Sequence, residues 1–339
     1  MKEDRPILGI PLGDAAGIGP ELVAKLAAKG FLTEHSCPVI IGDERLLTKG
    51  IEIAGESFEY KRITSPEEIR TGEGILLLDT ETLDTKDLRL SVVSASNGKE
   101  EADNLVRTMD WCKEGYLEGF CFAPLNKAAM KLGGYEYESE HELFADKLGV
   151  AHLPHGEMNV LDDLWTSRVT SHIPLSEVSR NITVERVMDA ITLANDTLRR
   201  GGFMNPRIVI AAINPHGGDS GTCGREEIDV LEPAVRLAAE NGIRVDGPFP
   251  SDTVFLKAFK GDYDAVVTMY HDQGQIAMKL KGFQKGITVA AGQPFAITTP
   301  AHGTAYDIAG KGIADTGAFE AAFRLCARMA MSDRENKRK

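Results

Sequence analysis

Short apolar runs rich in β-branched residues recur along this chain, separated by stretches with helical spacing, and this alternation limits the fold more than any other feature. The runs are Ile7 to Leu12, Val39 to Ile41, Ile75 to Leu78, Phe120 to Ala123, Arg207 to Ile213 and Ala265 to Tyr270. Between them, Val184, Val187, Met188, Ile191, Ala194 and Leu198 follow i, i+3, i+4, i+7 spacing. Ile228, Leu231, Val235 and Ala238 do the same before Asn241-Gly242 stops the helix. Runs this apolar have no polar face to offer water, so they predict a largely buried sheet covered by helices, an α/β architecture. At 339 residues the chain exceeds one ordinary core, and about 150 residues per domain gives two lobes. No Pro/Gly/Ser linker divides it, so the lobes are expected to share strands or to be crossed twice. There is no internal repeat, and only the charged Ser332 to Lys339 segment is low in complexity and expected to fray.

Charge and cysteine usage narrow the function. A net charge of −13 repels phosphate backbones and anionic headgroups, which argues against nucleic-acid and membrane roles. No window approaches the roughly 18 uninterrupted apolar residues of a membrane helix, and the N-terminus has no signal-like apolar region. The five cysteines form no Cys-x-x-Cys pair, so a reduced cytoplasmic setting is expected, without a disulfide framework or a thiolate zinc site.

Three histidines each follow a strand-like run: His172 after Arg168-Val169-Thr170-Ser171, His216 after Arg207 to Ile213 and Asn214-Pro215, and His271 after Ala265 to Tyr270. Ligands of α/β sheets bind beyond the carboxyl ends of strands, and imidazoles held there suit a divalent transition ion with positions left open for substrate. Singly, each also reads as a histidine bonded to backbone. The first strand runs into Gly13-Asp14-Ala15-Ala16-Gly17-Ile18-Gly19-Pro20-Glu21, which lets backbone approach a ligand closely or simply turns a strand into a helix. A second glycine signature, Ala301-His302-Gly303-Thr304-Ala305-Tyr306-Asp307-Ile308-Ala309-Gly310-Lys311-Gly312, places a carboxylate after a tight turn, where it would accept bonds from ribose hydroxyls.

These two stretches, with Ala123-Pro124-Leu125-Asn126-Lys127, Asn214-Pro215-His216 and Met269-Tyr270-His271-Asp272-Gln273-Gly274, resemble in order and spacing the 4-hydroxythreonine-4-phosphate dehydrogenase family over nearly the whole chain. The resemblance implies a two-lobed fold like isocitrate and isopropylmalate dehydrogenases, with an active-site cleft between lobes. Residues 1–132 plus 297–339 would form the first lobe, with the cofactor loop. Residues 133–296 would form the second, with the metal histidines and the dimer interface. It implies a homodimer with a shared active site, in which His172, His216 and His271 hold one divalent ion per site, one of them supplied by the partner. Zinc, magnesium, manganese, cobalt and nickel are all compatible. NAD is the implied cofactor, bound by Gly17, Gly303, Thr304 and Asp307, with Asp307 favouring NAD over NADP. The implied reaction is oxidation of a 3-hydroxy acid with loss of carbon dioxide. Asp252, Asp272 and Lys127 are candidates for proton transfer; Asp272 reads equally as an orienter of a ligand histidine, and Lys127 as a loop brace.

The sequence departs from the family around the substrate. The usual Gly-His-Thr-Glu reads Ser139-Glu140-His141-Glu142, the substrate Asn falls at Thr288 and the Arg at Ile297, while Lys279 matches. Fewer cations and an added Glu140 imply a substrate without the 4-phosphate, or a differently substituted hydroxy acid. Four-carbon sugar-acid 4-phosphates (threonate or erythronate) and cis-dihydrodiol dicarboxylates of aromatic catabolism are the alternative substrates. A non-enzymatic small-acid binder is disfavoured by the intact histidines and cofactor loop.

Overall fold

The structure, a computed structural model, describes residues 5–84, 86, 88–282 and 285–338. It contains two compact units, one of residues 1–152 and 293–339 and one of residues 153–292. The division differs from the expected one mainly at the first crossing, because the helix following Ser139 packs with the first unit.

In unit 1 the chain runs β1 (Ile7–Pro11), α1 (Gly19–Ala28), α2 (Phe31–His35), β2 (Cys37–Gly42), α3 (Glu44–Ala54), β3 (Tyr60–Ile63), β4 (Ile75–Asp79), α4 (Ala95–Lys113), β5 (Gly119–Cys121), α5 (Lys127–Leu132) and α6 (Glu140–Leu148). Unit 2 continues with β6 (Gly156–Leu161), β7 (Leu164–Arg168), α7 (Leu175–Asn181), α8 (Val184–Arg200), β8 (Ile208–Ala211), α9 (Glu232–Glu240), β9 (Val245–Phe249), α10 (Ser251–Ala258), β10 (Ala265–Thr268), α11 (His271–Gly282) and β11 (Ile287–Ala291). The chain returns to unit 1 for β12 (Ala296–Pro300) and α12 (Gly317–Arg338).

Unit 1 orders its strands β3-β4-β2-β1-β5-β12, every neighbouring pair parallel. Such a sheet needs both faces covered, and β1, β2, β4 and β12 are accordingly buried almost throughout. Unit 2 orders its strands β11-β6-β7-β10-β8-β9, with β6 antiparallel to both neighbours and β7, β10, β8 and β9 mutually parallel. Its core packs Val209, Ala211, Val254, Phe255, Val266 and Met278 from strands and helices.

The six apolar runs all become strands, each ending a residue or more before its sequence-based limit or within one residue of it. The C-terminus does not fray as expected. α12 continues through Arg338 because Arg334 ties it to Glu118 and to the Arg5 carbonyl (3.1 Å); Lys339 lies outside the described residues. Among the described residues, no helix is long and apolar enough to cross a membrane.

Candidate functional site

In unit 1 three sequence motifs meet. The Gly17 backbone lies so close to Thr304 that an added Cβ would stand 2.9 Å from the Thr304 Cβ, which explains why glycine is needed there. The Ile18 N–H donates to the Thr304 carbonyl (3.1 Å), and the Ser91 hydroxyl donates to the Tyr306 carbonyl (2.6 Å). The Tyr306 hydroxyl donates to Asp14, and the Asn126 side-chain amide donates to the Tyr306 oxygen (2.8 Å). Asn126 in turn caps α5 by accepting from the Ala129 N–H, while its own N–H donates to the Glu101 carboxylate at 3.2 Å. Glu21, fully buried, accepts from the Ala314 N–H (2.8 Å) and pairs with Lys25, whose ammonium also reaches the Gly312 and Ala314 carbonyls. The first strand's glycine loop, the Pro-Leu-Asn-Lys turn and the His302 to Gly312 segment are therefore one hydrogen-bonded junction. Gly303 and Asp307 stand exposed on it.

The junction is acid-rich and dry. Burial raises the Asp14 carboxyl above its usual range even though Tyr306 and the Ala16 N–H favour the charged form. Burial, then the nearby Asp14 charge, raises Glu101 well above the ordinary range. Burial, then Asp14, likewise raises the Tyr306 phenol. Glu100, one residue along α4, is pushed up to about 7 by burial and by Asp43. None of Glu100, Glu101 or the role of Asp14 was assigned from sequence. The two glutamates fall inside a helix, where only the polar-to-buried mismatch, invisible without coordinates, marks them.

Beside this junction, the Lys127 ammonium sits 3.0 Å from a Glu140 carboxylate oxygen. Burial alone would raise the Glu140 pKa, but His141 and Lys127 together outweigh it and hold the carboxyl below its usual range. His141 is buried, with its ring edge-on to Phe144 at 6.1 Å. Lys127 itself is half exposed. Ile297, in β12, is fully buried and packs inside the unit.

Unit 2 carries the three histidines beyond strand ends, but farther out than the sequence suggests. β7 ends at Arg168, so His172 lies four residues past it, and β8 ends at Ala211, five residues before His216; β10 ends at Thr268 and His271 opens α11. The rings of His172 and His271 have centroids 5.7 Å apart. The His271 Nδ1 is 2.7 Å from an Asp272 carboxylate oxygen, an arrangement that suits a proton on Nδ1. Among the described residues no three His, Cys, Asp or Glu side chains of this chain form a metal-holding group.

His216 occupies a left-handed turn. Residues 216 to 220 all have positive φ, and three of them, His216, Asp219 and Ser220, are not glycine, a conformation L-residues adopt only at a cost. Glu227, buried beneath, repays part of it by accepting from the Ile213 N–H (2.9 Å), the Asn214 N–H (2.8 Å) and the Asn214 side chain (2.9 Å). Gln273 then links the His271 helix to β8 through the Ala212 carbonyl (2.9 Å). Asp252 is exposed in the first turn of α10, and Lys279 is exposed on α11. Thr288, buried on β11, accepts from the Asn159 amide at 3.3 Å. A cavity of about 440 Å³ in unit 2 is lined by Leu164, Arg207 and Asp264 at the amino ends of β7, β8 and β10, the end opposite the histidines.

The family described as pyridoxal phosphate biosynthetic protein PdxA matches residues 34–326. "Putative 4-hydroxythreonine-4-phosphate dehydrogenase 2" of Pseudomonas aeruginosa is 47% identical over 328 residues, covering 96% of this chain and 97% of the relative. D-threonate 4-phosphate dehydrogenase of Cupriavidus necator is 36% identical over 331 residues, covering 97% and 99%. Among solved structures, 4-hydroxythreonine-4-phosphate dehydrogenase of Klebsiella pneumoniae superimposes with a TM-score of 0.84 at 34% identity, covering 96% of this chain and 98% of that one.

Proposed function

The chain belongs to the PdxA family, and from that membership and the geometry of its two units we propose that its substrate is a four-carbon hydroxy acid carrying a 4-phosphate. It is an NAD-linked oxidoreductase of this family. Relatives named for 4-hydroxythreonine 4-phosphate and for D-threonate 4-phosphate both align along almost the full chain.

The observation that carries the phosphate reading is the Lys127–Glu140 pair. Taken from sequence, Glu140 subtracts positive charge from a phosphate site and points to an unphosphorylated acid. In the fold its charge is already balanced by Lys127, with His141 beside it. The group is a braced ammonium rather than a bare carboxylate, and a braced ammonium suits a phosphate oxygen.

The same reading assigns one divalent ion to His172, His216 and His271. The donor set fits: His172 and His271 stand together, and Asp272 leaves the outer nitrogen of His271 available. The third imidazole is then supplied from a second copy of the chain, which supports the shared site. Ile276 and Leu280, one turn apart on α11, are 59% and 83% exposed, an apolar surface a second copy would cover. When bound, such an ion supplies Lewis acidity at the substrate oxygens.

Within this scheme Gly17, Gly303 and Thr304 give the dinucleotide close backbone, and the exposed Asp307 carboxylate takes its ribose hydroxyls. Asp272 would orient His271, and Asp252 would take the carbinol proton while bound NAD would supply the hydride acceptor. Loss of the β-carboxylate as carbon dioxide would leave its electron pair as an enolate, to which the protonated Asp252 could return a proton. Lys279 and Thr288 border the substrate, and the two units correspond to the lobes of an isocitrate/isopropylmalate dehydrogenase-like plan. The test is NADH formation at 340 nm with a divalent ion and a panel of 4-phosphohydroxythreonine, threonate and erythronate 4-phosphates, their unphosphorylated forms and a cis-dihydrodiol dicarboxylate. Turnover of a 4-phosphorylated acid is expected; turnover of unphosphorylated acids alone overturns the phosphate reading.

A further inference from the structure

We propose that Arg168 is the cation that receives the carboxylate of the hydroxy acid, an inference that rests on the substrate class above. Arg168 is the last residue of β7, in register with Thr268 at the end of β10, and its side chain is 8% exposed. Its Nε–H donates to the Ser171 hydroxyl (3.0 Å), one terminal nitrogen donates to the Asn159 carbonyl oxygen (3.3 Å), and the other donates to Glu157.

A guanidinium has five N–H groups. These three bonds leave one on each terminal nitrogen, and among the described residues no acceptor takes either. The acceptors nearby are already shared: the Asn159 oxygen also receives Gln275, and Glu157 also receives the Asn159 amide (2.7 Å). Two N–H groups on two terminal nitrogens of one planar fork are the arrangement that grips a carboxylate through both oxygens.

The fork also stands on the scaffold of the imidazole pair. Ser171 directly precedes His172, and Gln275 belongs to the helix that His271 opens. Glu157 pairs with the guanidinium before substrate arrives, so the fork is held in place and its charge is not left uncompensated.

Two variants test this. Arg168→Lys keeps the charge and loses the fork, whereas the double variant Arg168→Met/Glu157→Gln removes both charges without stranding either one. Each is measured for kcat and KM with the 4-phosphorylated acid, for KM with NAD, and for thermal midpoint. Calorimetric titration in the presence of NADH compares the acid with its primary carboxamide. Arg168→Lys is expected to raise KM for the acid at least tenfold, leave KM for NAD and the thermal midpoint near wild type, and abolish the preference for acid over carboxamide. The proposal is overturned if both variants fold and keep the wild-type KM and preference, which would make Arg168 a strut between strands. Should the wild type use only unphosphorylated acids, the phosphate reading fails while the same carboxylate comparison is run on the acid that is used.

Discussion

Unit 1 and unit 2 prepare their functional residues in opposite ways. At the glycine junction of unit 1, Asp14, Tyr306, Asn126 and Glu101 satisfy one another inside the protein, so the surface proposed for the dinucleotide has its supporting bonds within one chain. In unit 2 the histidines are partly or fully exposed, two stand together, and the third rides a strained turn. The difference teaches that a group satisfied by internal partners is fixed by the fold alone, whereas exposed imidazoles are left open to a partner from outside the chain, as the shared site proposed above requires.

The comparison is broken most directly by removing a ligand. His172→Ala or His271→Ala is expected to eliminate bound divalent ion, measured by elemental analysis, and to lower kcat/KM by at least the roughly 10²–10³-fold typical of losing one electrostatic stabiliser. Full metal content in both variants would return unit 2 to the status of unit 1, complete in itself.

Unit 1 should show its dry acids as a pH dependence. Glu100 has its pKa raised by folding, from 4.5 to about 7, so the folded state holds a proton the unfolded chain releases. Its contribution is present below about pH 4.5 and is lost as pH rises to about 7, by roughly 3 kcal/mol in all. Urea titrations across that window should therefore show Glu100→Gln gaining relative to wild type as pH rises. A parallel pair of curves would mean that Glu100 is charged in the fold.

Tyr306→Phe tests the junction itself. It leaves Asp14 and Asn126 short of a partner and is expected to cost about 1–3 kcal/mol of stability, together with weaker NAD binding in calorimetry. An unchanged NAD affinity would separate the junction from the cofactor. Asp307→Ala should have the smallest effect, a shift of about tenfold in the NAD-to-NADP preference with stability unchanged, because an exposed carboxylate repels an added phosphate only through solvent.

Much of unit 1 was legible because its strands are buried on both faces and its motifs are local. Ile7 to Leu12 reads as a strand, but the glycine loop after it reads equally as a ligand approach or a plain strand-to-helix turn, so the close packing of Gly17 on Thr304 was not legible. Several strands escaped: β3 reads Tyr-Lys-Arg-Ile at a sheet edge and β9 contains Gly247 and Pro248, and the short β6, β11 and β12 and most of β7 were not picked out either. The histidines were found, but the strands were drawn too long, since Val169 to Ser171 have strand-like composition while hydrogen bonding to β10 ends with Val169 and Thr170 reaching the Thr268 and Met269 carbonyls. The Lys127–Glu140 pair was not legible, because the two residues stand thirteen positions apart and meet only where the first turns of α5 and α6 come together. Arg168 entered the sequence reading only as the first residue of the run before His172, since nothing in its neighbours announces Glu157 or Asn159.

The mirror-handed turn at residues 216 to 220 also bears on how the protein comes apart. Three L-residues in that conformation carry a penalty of about 1–2 kcal/mol each, offset only by bonds that exist once Glu227 and the surrounding helices are in place. Such a segment forms late and lets go early. Mild warming should expose its amides to hydrogen exchange before either sheet loosens, leaving a protein still folded but with the His216 imidazole adrift.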